Sequence, residues 1–235
     1  MFTDMLASMR FEVIKMPVNV YFAHMFGGYL RSMACRLRPY ETVKGRTDAA
    51  VERSMAALTE AFEGKRPKED ALALTISYFE EIAVVPAQRP NAAIFGDLYV
   101  RDNRVINQDL IHFIEENGGE VITTPYSDYL KMIANPYLRK WVVEGHYLEA
   151  LSSKALMTGL RCKEAAYYKY FEPILGDPQP VYDDNPEKIL SEYNIRLEHT
   201  GESMDNILKI HYIQKYHPDT ALFVQTSPAF CCPAL

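Results

Sequence analysis

The chain has no uninterrupted apolar run of about 18 residues, so nothing in it reads as a membrane-spanning helix. Its first residues, Met1 to Leu6, lack the basic-then-apolar order of a secretory signal. Positive charge is in deficit: 25 Lys+Arg stand against 31 Asp+Glu, a formal net charge of −6. That balance argues against a general nucleic-acid binder, which neutralises phosphates with clustered Lys and Arg. Cysteine is scarce, four in 235 residues, too few for a disulfide scaffold, and a reducing cytoplasm is the default expectation. No G-x-G-x-x-G follows an expected strand, and no G-x-x-x-x-G-K-[ST] occurs. Both absences disfavour dinucleotide binding of the usual kind and P-loop ATP hydrolysis. The histidines His24, His112, His146, His211 and His217 show no ligand spacing and read as structural or exposed. No internal repeat or low-complexity segment stands out.

Hydrophobic residues make up 48% and charged residues 24%, enough apolar side chain to form a core. The N-terminal part reads as helical. Residues 21–37 end at Arg38-Pro39, because a residue before proline avoids helical dihedrals. Thr47 reads as the N-cap of a second helix, with Asp48 in its first turn. Pro67 suits the start of a third. The proline-containing segment 83–91 reads as a boundary, giving a helical region over 1–90 and an α/β lobe over 91–235.

After that boundary the texture changes. Ala92 to Gly96 is a short apolar run, expected as a buried parallel strand. A helix over 106–117 stops at Gly118-Gly119, and Glu120 to Thr124 is a second strand. Together these make a βαβ unit. A tyrosine-rich helical region over 128–172 follows, expected to break near Asn135-Pro136 and Gly145. Then come a proline-rich loop over 173–187, a short helix, and a possible strand over Asn194–Glu198. A helix over about 203–216 and a strand over 221–225 complete the lobe. The fold class expected is α/β: a helical N-terminal part, then a Rossmann-like three-layer lobe with a short parallel sheet.

In an open α/β sheet, ligands sit outside the carboxyl ends of the strands. Those ends contribute Gly96, Asp97, Tyr99 and Arg101 from the first strand, Thr124 from the second and Ser227 from the third. These are the candidate cofactor- or substrate-contacting residues. Gly96 also fits plain turn geometry. Arg101, Arg104 and Lys131 lie near strand ends and could meet phosphates. Glu198, His199 and Glu202 in the stretch Glu198-His199-Thr200-Gly201-Glu202-Ser203 are candidates for substrate binding or proton transfer. The same stretch also fits helix capping by Thr200 or Ser203. The Tyr167 to Phe171 run reads as helix packing. The adjacent Cys231 and Cys232, before Pro233, fit either soft metal ligands or small buried hydrophobes.

Five ordered blocks carry a resemblance. They are Arg38-Pro39-Tyr40-Glu41 with Lys44-Gly45 and Thr47-Asp48; Ile94 to Asn103; Gly118 to Val121 continuing through Thr124 to Tyr129; Glu198 to Ser203; and Phe223 to Thr226 continuing through Phe230-Cys231-Cys232-Pro233. Spanning roughly residues 36–235, they resemble the dehydratase-type region of the 2-hydroxyacyl-CoA dehydratase / benzoyl-CoA reductase superfamily, in the branch associated with an ATP-dependent activase. The resemblance implies Rossmann-like lobes and a [4Fe–4S] cluster held by cysteines from more than one lobe. It also implies a CoA thioester substrate and single electrons from the activase. Carried over, Cys231 or Cys232 would be a cluster ligand. The other cluster cysteines of relatives are not recognisable in residues 1–35, so the resemblance points to one lobe and part of another. A second lobe or subunit would then be a partner. A non-catalytic interaction module, or a CoA-binding module without a cluster, are the alternatives.

Overall fold

The computed structural model describes residues 2–196 and 201–231, with side chains from Met16 onward. Glu198, His199, Thr200 and Cys232 lie outside the described residues. The element order is helical first and mixed afterwards. Helix α1 (Phe2–Leu37) passes through a 3₁₀ turn to α2 (Arg46–Phe62) and α3 (Lys68–Glu80). Next come β1 (Asn91–Gly96), α4 (Leu98–Asp102), α5 (Leu110–Glu116) and β2 (Glu120–Thr123). The chain then makes α6 (Tyr126–Val143), α7 (Tyr147–Leu175), α8 (Pro186–Ser191), α9 (Glu202–Tyr216) and β3 (Thr220–Thr226).

The expected α/β class is the one found. Three strands pair in parallel in the order β2-β1-β3. Residues of β1 alternate between two faces, as strand geometry requires. Ile94 packs with Leu110, Ile111 and Ile114 of α5. Ala93 and Phe95 pack with Ile210 and Ile213 of α9. The sheet is therefore a middle layer with helices on both faces. Because β1 lies between β2 and β3, the chain leaves β1 to one side and returns to the other. The carboxyl end of β1 is thus the switch point of the topology.

A helical core of α1, α2, α3 and the C-terminal half of α7 packs beside the sheet. Phe26, Phe79 and Phe171 are fully buried in it. A buried ionic network ties α1, α6 and α7 together. Lys131 Nζ lies 2.7 Å from Asp128 Oδ1 and 3.4 Å from Glu164 Oε1. Tyr29 donates to Asp128 at 2.9 Å, and Tyr21 donates to Glu164 at 2.6 Å. Burial pushes the Glu164 carboxyl above its usual range, against the pull of Lys131. Lys131, read from the sequence as a phosphate contact near a strand end, is therefore a structural cation between helices.

Several local expectations need correction. The first turn of α2 is capped by Glu41, not Thr47. Its carboxylate accepts from Gly45 N and Thr47 N, each at 2.7 Å. Thr47 itself is buried inside the helix. Helix α6 runs unbroken through the buried Pro136, forfeiting one backbone bond while packing against α1 and α7 holds it. The expected break at Gly145 is present, at φ +86° between α6 and α7. Asn194 adopts a left-handed turn conformation and Ile195 and Arg196 form no strand. The remainder of that expected strand lies outside the described residues.

The ionic network generates a test. Lys131→Met leaves two buried carboxylates without their cation, which costs about 3–5 kcal/mol. Urea denaturation at neutral pH is expected to show that loss, and an unchanged midpoint would contradict it.

Candidate functional site

The site begins with a backbone constraint. Gly96 ends β1 at φ +112°, and a Cβ there would lie 2.1 Å from the Thr226 carbonyl oxygen. Only glycine permits both the dihedral and the approach. The two strands finish together because of it. Asp97 N donates to Thr226 O at 2.8 Å, and Thr226 Oγ1 donates to Phe95 O at 3.1 Å. The chain then turns into α4, whose first turn is capped by Asp97 Oδ1 accepting from Val100 N at 2.8 Å.

A cavity of about 180 Å³ opens at these strand ends. Its wall includes Gly96, Asp97, Arg101, Tyr129, Glu202 and Lys209. Helix α9 starts at the cavity and lays Glu202, Asn206 and Lys209 along one face, at the i, i+4, i+7 spacing of a single stripe. Arg101 and Lys209 are 3% and 6% exposed. Lys209 Nζ donates to Gly96 O at 3.1 Å and to Asn206 Oδ1 at 3.2 Å. It also lies 4.3 Å from the centre of the Tyr129 ring, a cation–π contact. Burial and the nearby Arg101 push its pKa down to about 8, against the opposing pull of Asp205, Glu202 and Asp97. Tyr129 in turn donates to Asp205 Oδ2 at 2.7 Å. Burial raises the Asp205 carboxyl above its usual range.

Arg101 binds Asp102 through Nε at 2.9 Å and Nη2 at 3.2 Å. Asp102 also takes Arg31 Nη1 at 2.6 Å, and these cations hold its carboxyl below the usual range despite burial. Arg101 and Tyr126 are shared with a second cavity of about 370 Å³ between α1, α2 and the α4–α5 connection. Along α1 that cavity meets His24, Gly27 and Arg31. A Cβ on Gly27 would touch nothing within 4 Å. A bare glycine inside a helix costs about 1 kcal/mol relative to alanine, and no neighbour in the chain requires it here. A further cavity of about 420 Å³ between α1, α6 and α7 meets Tyr21, Tyr137 and Trp141 and lies away from the strand ends.

The candidate residues from the sequence divide clearly. Gly96, Asp97, Arg101 and Glu202 come together at the smaller cavity. Tyr99 projects from α4 at 67% exposure and lines neither strand-end cavity. Thr124 is buried just after β2 and also lines neither. Ser227 is half-buried, and its Oγ is enclosed without a hydrogen-bond partner among the described residues. Glu198, His199 and Cys232 fall outside the described residues. Of the expected caps, Thr200 lies outside the described residues and Ser203 lies inside α9, whose N-cap is Gly201. The sequence reading missed Asn206 and Lys209. The available signal was a lone lysine interrupting the apolar run Ile207-Leu208-Lys209-Ile210.

The three described cysteines do not gather. The half-buried Cys231 places its thiol 3.2 Å from Glu202 Oε2. Cys35 is buried among Ile94 and Val121, and burial pushes its thiol up to about 12. Cys162 is exposed on α7. Among the described residues no three His, Cys, Asp or Glu side chains could hold a metal ion together. A [4Fe–4S] cluster takes three or four thiolates, so the described residues do not form a complete cluster site. Comparison with protein-family models, with curated proteins and with solved structures returns no match. Among the described residues no helix is long and apolar enough to cross a membrane.

Lys209 makes folding pH-dependent. Its pKa falls from the ordinary 10.5 to about 8 on folding, so between those values the unfolded chain binds more protons than the native one. Stability therefore rises as pH climbs through that window, by roughly 3 kcal/mol for this group alone. Lys209→Met is expected to lack the rise. Chemical denaturation of both proteins across the window checks it, and parallel profiles would contradict it.

Proposed function

We propose that the chain is a ligand-binding lobe of an acyl-CoA-handling protein, of the 2-hydroxyacyl-CoA dehydratase / benzoyl-CoA reductase kind. One observation carries the ligand-site part of this reading. Two cavities meet at Arg101 and Tyr126 beside the carboxyl end of β1, where open α/β sheets bind ligands. The wider cavity suits the carrier part of an extended thioester, with arginines at its edge for phosphate oxygens. The narrower one suits the small acyl end. Two ordered sequence blocks, Ile94–Asn103 and Thr124–Tyr129, fall on this cleft. That coincidence supports the family resemblance independently of the cysteines.

Each residue then has a definite task. Gly96 brings backbone within reach of the ligand, and Arg101 and Lys209 offer N–H donors to its oxygens. Tyr126 and Tyr129 supply ring faces and exclude water. Glu202, at the start of α9, is the carboxylate placed to exchange a proton with a ligand in the narrower cavity. Cys231 lies beside Glu202, and a partner lobe or second subunit would have to bring the remaining thiolates of any cluster. An ATP-dependent activase belongs to the same proposal as the electron donor. The alternative reading is a CoA-binding lobe or a non-catalytic interaction lobe with no cluster of its own.

The binding claim is tested by calorimetric titration of the chain with a short acyl-CoA. Saturable binding is expected. Gly27→Leu fills the wider cavity and is expected to weaken binding about tenfold or more while folding stability stays level or rises by up to about 1 kcal/mol. Absence of binding, or unchanged affinity in Gly27→Leu, would count against the reading. Iron and sulfide analysis after anaerobic reconstitution separates the two versions of it. Substoichiometric iron is expected for the chain alone, and a full cluster lost on Cys231→Ser would favour the redox version.

A further inference from the structure

We infer that Arg101 and Lys209 jointly seat one small oxyanion of a ligand, a carboxylate or a phosphate, in the narrower strand-end cavity. The inference deepens the proposed ligand site and rests on that cleft being one.

Two buried cations at this cavity keep donors that the described residues leave unmet. Both side chains are more than nine-tenths buried and both line the cavity. A buried ammonium is costly unless it is paired. Yet among the described residues Lys209 has two hydrogen-bond acceptors, the Gly96 carbonyl and Asn206 Oδ1, and both are neutral. An ammonium has three N–H groups, and the third meets no oxygen or nitrogen acceptor among the described residues, the Tyr129 ring face lying on one side of it. No carboxylate among them lies within ion-pair distance of it. Arg101 shows the same shortfall. Its Nε and Nη2 are spent on Asp102, and Nη1 has no hydrogen-bond partner among the described residues. Asp102 already serves Arg31 as well, so one carboxylate balances two guanidinium groups.

Three carboxylates pull on Lys209 from nearby, but none is hydrogen-bonded to its ammonium. Asp97 holds the first turn of α4. Glu202 accepts from the Cys231 thiol. Asp205 accepts from Tyr129, and burial raises its carboxyl toward the neutral form. Two buried cations side by side repel, and each disfavours the other's charge. An oxyanion between them would take the third Lys209 N–H and the Nη1 donor of Arg101, giving both a direct charged acceptor. The cavity is small, about 180 Å³, below the usual range of drug-sized ligand pockets. It therefore selects a compact anionic group rather than a whole cofactor. Because Lys209 has a pKa pushed down to about 8, affinity for the anion is expected to fall as pH rises past that value.

The test uses the chain with 2-hydroxybutanoate and, separately, inorganic phosphate in calorimetric titrations. At least one is expected to bind in the millimolar range or better. The stronger of the two identifies whether the seat is built for a carboxylate or a phosphate. Lys209→Met is expected to lose about 10- to 100-fold in that affinity, the scale of one charge-assisted hydrogen bond. Its melting temperature without ligand should rise, since an uncompensated buried cation is gone. Unchanged affinity in Lys209→Met overturns the seat, as does failure of both anions to bind wild type. If Lys209→Met does not fold, the wild-type amine gives the answer. Its acetylation, mapped by mass spectrometry over a pH series, should slow and shift to higher pH when the anion is present. An unshifted profile overturns the seat.

The outcomes separate this inference from the acyl-CoA reading. Short anions that bind while CoA thioesters do not leave the seat standing and remove the thioester. CoA thioester binding that is indifferent to Lys209→Met does the reverse.

Discussion

The close approach of Gly96 to Thr226 sets the level at which everything else is built. With no side chain at position 96, β3 pairs beside β1 to its last residue. The Asp97 amide and the Thr226 hydroxyl then close the strand ends together. A larger residue would force the strands apart where α4 departs. The Gly96 carbonyl would then no longer sit where Lys209 binds it. A single methyl group at this position would therefore act on sheet pairing, on the first turn of α4 and on the cavity at once.

The molecule separates its buried charges into two kinds. The Lys131, Asp128 and Glu164 network is closed, and its cation has carboxylates on two helices. It fastens α1, α6 and α7. The Arg101 and Lys209 pair is open: both side chains line a cavity, and each keeps a donor without a hydrogen-bond acceptor among the described residues. Burial costs free energy in both places. In the first the cost is offset inside the chain, and in the second the offset awaits a ligand. This contrast, rather than any one residue type, distinguishes a structural cluster from a binding one.

The sheet was legible because short apolar runs bounded by glycine and proline have few other solutions. Ala92–Gly96 and Ala221–Gln225 fall inside observed strands, and Gly118-Gly119 ends α5 as expected. Pro136 was misleading because one lost backbone bond is minor for a helix packed on two neighbours. Thr47 was misleading because capping is a question of which oxygen reaches the amides, and Glu41 reaches them from outside the helix. The strand-end residues Gly96, Asp97 and Arg101 were found by topology alone. Lys209 was not, since helical periodicity places a lysine on a face without telling whether water or a cavity covers that face. The cysteine pair, the loudest feature of the sequence, contributes one described thiol beside Glu202 and no cluster site among the described residues.

The carboxyl edge of the sheet is where the proposed ligand would bind. Hydrogen–deuterium exchange with and without a short acyl-CoA tests that claim most directly. Added protection should be confined to the Gly96–Asn103 turn, the start of α6, the first turns of α9 and the middle of α1 around Gly27. Protection centred on the α6–α7 hairpin instead, or none at saturating ligand, would contradict it.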